Sequence, residues 1–114
     1  MAPMLKKEMS KIDWNNKTTE IKNLVRGLDP IMGTYAMLDG KKLKIWKVEK
    51  EELKDDYQTA KCGEIVRVDN KKGVYVKAKD GIIILLEVQS ENSKRMAIQD
   101  YLRGNQIQVG QKFE

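Results

Sequence analysis

Lys41, Lys42, Lys44 and Lys47 crowd one short stretch around Trp46, and Tyr75 is followed at alternate positions by Lys77 and Lys79. Ammonium groups pair with phosphates and an aromatic ring stacks on a base, so both patterns are of the kind that holds a polynucleotide. Each also has a plainer explanation. Lysines blunt a sheet edge against aggregation, and a Tyr-x-Lys-x-Lys alternation is what a solvated strand face looks like. A third basic group, Lys6, Lys7 and Lys11, fits either a linker or a segment that orders on RNA. Lys71, Lys72, Lys94 and Arg95 lie at turns, where charge is expected anyway.

Catalytic chemistry has little to work with. The chain contains no histidine and a single cysteine, Cys62. The commonest general base and the commonest metal ligand are therefore missing, and no metal site is expected. Nothing beside Cys62 except Lys61 is placed to activate it, so it is read as inert. The glycines follow turns and show no phosphate-cradling spacing. No pair of carboxylates stands out by its spacing.

A chain of 114 residues fits one domain, and 34% charged residues against 40% hydrophobic ones describe a globular protein with a highly charged surface. The net charge of +5 leans towards a polyanionic partner, but the excess is spread along both halves. No apolar run approaches the roughly 20 residues that span a bilayer. The N-terminus lacks an apolar secretion core, and a lone cysteine suits a reducing compartment, so the expected location is cytoplasmic.

Positioning these residues falls mainly to strands. Residues 1–16 read as an extended lead-in that Ile12 and Trp14 anchor to the domain. Ile21, Leu24, Val25 and Leu28 recur at helical spacing and predict an amphipathic helix from Thr18, its N-cap, to Leu28, stopped by Asp29-Pro30. Strands follow at 34–38, 42–48, 63–69, 74–79 and 82–88. Turns are expected at Asp39-Gly40, 70–72 and Asp80-Gly81. Leu43 and Ile45 share one face while Trp46 and Val48 share the other, so the inside–outside phase slips at Ile45-Trp46, as at a bulge. Lys44 shares a face with Trp46. Residues 49–58 read as an exposed loop, 82–88 as the most buried strand, and 96–103 as a short helix. The tail through Val109 and Phe113 is placed to close an edge. In the 74–79 strand, Val74, Val76 and Ala78 are assigned to the core and Tyr75, Lys77 and Lys79 to the exposed face. The predicted class is mainly β, an OB-type antiparallel barrel with an N-terminal and a short C-terminal helix, occupying residues 17–114.

Several strings acquire a second meaning together: APMLKKEMSKIDW at 2–14, IKNLVRGLDPIMGTY at 21–35, LDGKKLKIWK at 38–47, GEIVRVDNKKGVYVKAKDG at 63–81 and KRMAIQDYLRG at 94–104. In this order they resemble the C-terminal part of the methionyl-tRNA formyltransferase family. The resemblance implies an OB-type domain behind a linker, here 1–16, from a catalytic domain absent from this chain. That domain carries an Asn–His–Asp centre and uses 10-formyltetrahydrofolate. It also implies a non-catalytic role in translation initiation, in which basic residues dock the initiator methionyl-tRNA backbone. Pro3, Lys6 and Lys7 match the linker, Lys41, Lys42 and Lys44 the basic turn and strand, and Lys94 and Arg95 the KRM string. Tyr75, Lys77 and Lys79 complete the RNA-binding set read from the residues. This chain departs from the family in Met32-Gly33-Thr34, where Pro-Gly-Ala is usual, and in Ala97, where a serine cap is usual. The same domain type serves a largely structural role in formyltetrahydrofolate dehydrogenase and the sugar-nucleotide formyltransferases. A free-standing nucleic-acid-binding barrel is the remaining alternative.

Overall fold

A computed structural model describes residues 11–28, 34–38, 40–52, 59–90, 93–105 and 107–113. Pro3, Lys6, Lys7, Asp29-Pro30, Met32-Gly33 and Asp39 lie outside them. The order of elements is α1 (Thr18–Leu28), β1 (Thr34–Leu38), β2 (Lys41–Glu52), β3 (Ile65–Asp69), β4 (Gly73–Lys77), β5 (Gly81–Ser90), β6 (Met96–Ala97) and α2 (Ile98–Gly104).

The strands form one antiparallel sheet in the order β1-β2-β5-β4-β3, with β6 paired to β5. The pairings β1–β2, β3–β4, β4–β5 and β5–β6 join strands adjacent in sequence, and the long β2–β5 ladder joins the halves. The mainly-β expectation holds. The end strands β1 and β3 are not paired to each other among the described residues, so the ladder itself is open. The tail lies across that gap: it bridges Leu38 through Phe113 and Glu64 through Lys112, and Ile65 N–H donates to the Gln111 carbonyl at 2.7 Å.

Ile21 and Val25 of α1 are buried, on the face the helical spacing marked. They join Leu43, Ile45, Ile65, Val74, Val76, Ile83, Leu85 and Val88 in one core. Ile12 and Trp14 anchor the lead-in there as expected. Trp14 is 3% exposed with its ring 5.4 Å from Phe113, and Ile12 N–H donates to the Tyr35 carbonyl at 2.8 Å.

The structure corrects five local expectations. First, β2 does not end at Val48. Residues 49–52 form strand, because Glu49, Lys50, Glu51 and Glu52 pair through their backbones with Ile84, Ile83, Ile82 and Gly81; a ladder of peptide groups needs no apolar pattern. Residues 53–58 lie outside the description. Second, the α1 cap is not Thr18. The Lys17 carbonyl accepts the first helical bond from Ile21, which makes Lys17 the N-cap, and Asp80 supplies the missing acceptor to Thr18 N–H at 2.8 Å. Third, Met96 and Ala97 are strand and the helix begins only at Ile98. Ala97, as N-cap, makes no side-chain hydrogen bond. Fourth, the most continuously buried strand is β4, not β5. Fifth, and for the same reason, Tyr75 and Lys77 are not on an exposed face. They are 3% and 6% exposed: the Arg67 guanidinium covers the Tyr75 ring at 5.4 Å, and the Lys77 ammonium folds back to donate to the Ala78 carbonyl.

The β3–β4 turn is closed by Asp69, whose Oδ1 accepts the Lys71 and Lys72 N–H groups at 2.8 and 3.1 Å. Those bonds hold the Asp69 carboxyl below its ordinary range. Gly73 follows at φ 133, and a Cβ there would meet the Leu85 carbonyl oxygen at 2.3 Å, so only glycine permits this approach of β4 to β5.

Candidate nucleic-acid interface

Pleating alternates residues between the two faces of β1 and β2. Ala36, Leu38, Leu43 and Ile45 turn inward and are buried, while Tyr35, Met37, Lys42 and Lys44 turn outward and are half-buried. The hairpin register sets Tyr35 opposite Lys44 and Met37 opposite Lys42; Lys44 in turn faces Gln89 of β5. The Lys42 ammonium lies 4.6 Å from the Tyr35 ring centroid and the Lys44 ammonium 5.6 Å from that of Trp46.

The register between β2 and β5 shifts on either side of Lys47, which is the bulge the sequence predicts. Its consequence differs in one respect. Val48 turns into the core at 6% exposure, and Trp46 stays outside with Lys44 rather than sharing a face with Val48. The indole Nε1 donates to Gln89 Oε1 at 2.9 Å, and the Arg95 guanidinium lies 4.9 Å from the Trp46 ring. Arg95 is also paired with Glu87 at 2.7 Å.

Lys42 and Lys44 therefore share one surface with two aromatic rings, while Lys41 is exposed where β2 begins and Lys47 is exposed next to Trp46 at a second cleft. No ion pair ties up any of the four among the described residues, whereas Lys22, Arg67, Arg95 and Arg103 all have carboxylate partners. Beside Lys41 and Lys42 opens a cleft of about 640 Å³ bordered by Tyr101 and Ile107. Partial burial pushes the Tyr101 hydroxyl above its ordinary pKa, so it stays a neutral donor through the physiological range. Among the described residues no group of His, Cys, Asp and Glu is arranged to hold a metal, and no helix is long and apolar enough to cross a membrane.

Of the residues singled out in the sequence, the structure brings Lys41, Lys42 and Lys44 together. Lys79 is exposed but sits at the far end of the sheet: β2 faces Ser90 at its Leu43 end and Gly81 at its Glu52 end. Tyr75 and Lys77 are covered, as described. Lys6 and Lys7 fall outside the described residues. The sequence reading overlooked Tyr35 and gave Arg95 no contact. Tyr35 was within reach: a two-residue turn at Asp39-Gly40 sets Leu38 opposite Lys41 and so Tyr35 opposite Lys44. Arg95 was not, because only the β5–β6 pairing carries it back to Trp46.

Residues 4–106 match the family model described as formyl transferase, C-terminal domain. Among curated relatives, the methionyl-tRNA formyltransferase of Ruminiclostridium cellulolyticum is 40% identical over 112 residues, covering 98% of this chain and 35% of the relative. That of Geobacter metallireducens is 42% identical over 109 residues, covering 96% and 33%. The chain thus spans about a third of the length of the curated relatives it matches. Among solved structures, HypX from Aquifex aeolicus in complex with tetrahydrofolic acid superposes with a TM-score of 0.70 over 89% of this chain and 18% of that one, at 22% identity, a likeness of fold. By the match over nearly its whole length, the chain belongs to the formyl transferase C-terminal domain family.

Proposed function

We propose that this chain is the tRNA-docking part of a cytoplasmic methionyl-tRNA formyltransferase, holding the backbone of the initiator methionyl-tRNA while an upstream catalytic domain formylates it at the start of translation. The observation that carries this reading is the surface on which Lys42 and Lys44 lie beside Tyr35 and Trp46, flanked by exposed Lys41 and Lys47, with none of the four ion-paired among the described residues. Free ammonium groups along one face displace counterions from phosphates and attract RNA with little regard to sequence. Docking the body of the tRNA makes delivery of its acceptor end effectively intramolecular, which lowers the entropic barrier without any chemistry in this chain. The formyl donor, 10-formyltetrahydrofolate, belongs in this reading to the upstream domain. No residue here is assigned to it, and the chain has no histidine to serve as the resemblance's catalytic base. Lys6 and Lys7, outside the described residues, are assigned to the same role from the sequence alone, and Lys79 stands apart from the Lys42–Lys44 surface.

The test is tRNA binding across a salt series. Four phosphate contacts predict that log affinity falls with log salt at a slope of about −3.6. Lys41→Glu with Lys42→Glu should weaken binding and flatten the slope by about 2, whereas Lys79→Glu should change neither appreciably. Binding that ignores salt, or that responds to Lys79→Glu and not to the first pair, overturns the assignment.

A further inference from the structure

Trp46 is held in place more firmly than a tryptophan at a sheet surface needs to be. Its Nε1 donates to Gln89 Oε1 at 2.9 Å, and Gln89 Nε2 donates onward to the Ser93 carbonyl at 2.7 Å. This relay fixes the plane of the indole. The ring also borders a cleft of about 370 Å³ between α1, β2 and β5, into whose walls Arg26, Lys47 and Arg95 bring positive charge. The two carboxylates of the cleft are each engaged, Glu49 by Lys22 at 2.7 Å and Glu87 by Arg95 at 2.7 Å. The Lys22 bond also holds the Glu49 carboxyl below its ordinary range. Among the described residues the charge left over at the cleft is therefore that of Arg26 and Lys47, with the Lys44 ammonium 5.6 Å from the ring.

We infer that this cleft receives one unpaired nucleotide of the bound RNA, with the base against the Trp46 indole and the phosphate between Arg26 and Lys47. The inference rests on the RNA-docking reading and adds a base contact to it. A fixed aromatic plane ringed by cations matches the two halves of a nucleotide, a flat π-face and a dianionic or monoanionic phosphate. A base within a duplex has no free face to offer, so the occupant is unpaired. Stacking of this kind accepts any base, which keeps the contact sequence-tolerant.

The chain has two tryptophans, and Trp14 is 3% exposed, so quenching of intrinsic fluorescence on titration reports Trp46. The probes are a short single-stranded oligoribonucleotide, the same sequence as a duplex, and tRNA, all at low salt. Quenching is expected with the single strand and with tRNA, and not with the duplex. Trp46→Phe keeps most of the affinity for the single strand, Gln89→Leu loses part of it, and Trp46→Leu weakens it by roughly tenfold. Salt-dependent binding of tRNA with no quenching, and with Trp46→Leu indistinguishable from the parent, overturns the cleft and leaves the docking reading standing. Failure to bind any of the three RNAs overturns both. If Trp46→Leu does not fold, the quenching of the unaltered chain decides alone.

Discussion

The start of α1 depends on a residue 62 positions away, and that dependence can be measured. A helix leaves its first N–H groups without internal partners, and a polar side chain at the N-cap ordinarily accepts one of them. Lys17, the N-cap here, has no acceptor to offer. Two carboxylates replace it: Glu20 Oε1 reaches back to Lys17 N–H at 3.4 Å, and Asp80 Oδ1 accepts Thr18 N–H at 2.8 Å. Replacing Asp80 by alanine strands the Thr18 N–H and removes a negative charge from the positive end of the helix. A lost cap costs about 1 kcal/mol, and because Asp80 is exposed, solvent screening leaves the charge little to add. Unfolding entropy for 114 residues is roughly 0.24 kcal/mol per kelvin, so the melting temperature should fall by about 4 °C. Asp80→Asn keeps an oxygen and should lose about half as much. The pH dependence supplies the control. The Thr18 N–H bond, the first cause, lowers the Asp80 pKa from its ordinary 3.8 in the folded chain. A carboxyl with a depressed folded pKa stabilises fully above its unfolded pKa and loses that contribution as pH falls through the folded one. The gap between parent and Asp80→Ala should therefore be constant near neutrality and close below about pH 4 in a calorimetric or urea series. A gap under about 0.3 kcal/mol at neutral pH, or one of equal size at about pH 2, would refute the cap.

Two further substitutions probe the backbone. Gly73→Ala combines a left-handed φ of 133 with a Cβ 2.3 Å from the Leu85 oxygen; the expected loss is about 2 kcal/mol or more, near 8 °C in a thermal melt, and a fall under about 2 °C would show that the β4–β5 ladder yields freely. Ala97→Ser gives α2 the side-chain acceptor its N-cap lacks and should raise the melting temperature by about 2–4 °C; an unchanged or lowered value would mean that pairing of Ala97 with Glu87 prevents the hydroxyl from reaching the helix.

What the sequence made legible was whatever depends on near neighbours. The spacing of Ile21 and Val25 is a property of one helix, and the pairing of Lys44 with Tyr35 follows from one tight turn. What it hid depends on partners far along the chain. Glu49, Lys50, Glu51 and Glu52 look like loop because their side chains carry no apolar rhythm, yet Gly81 and the isoleucines that follow it draw their backbones into the sheet. Tyr75 and Lys77 look solvated because alternation within β4 cannot reveal that Arg67 lies over the outer face. The cap at Thr18 is invisible for the same reason, since Asp80 reaches it only once the β4–β5 turn is folded against α1.

The bulge in β2 ties the fold to the candidate site most directly. With strict alternation from Leu43 and Ile45, the inward positions would continue to Lys47 and the outward ones to Trp46 and Val48. That arrangement buries a lysine without a partner and leaves a valine in water, and burying an unpaired ammonium costs far more than a local break in the ladder. Shifting the register at Lys47 returns Val48 to the core and leaves Trp46 and Lys47 outside in succession. The bulge thus delivers the lysine that makes alternation untenable to the surface, directly after Trp46 and at the cleft beside α1. A substitution that removed the need for the bulge, such as Lys47→Val with Val48→Lys, should therefore weaken RNA binding through the lost placement of the Lys47 ammonium beside Trp46, even though the charge of the chain is unchanged. Retention of full affinity in that swap would separate the site from the strand geometry argued to create it.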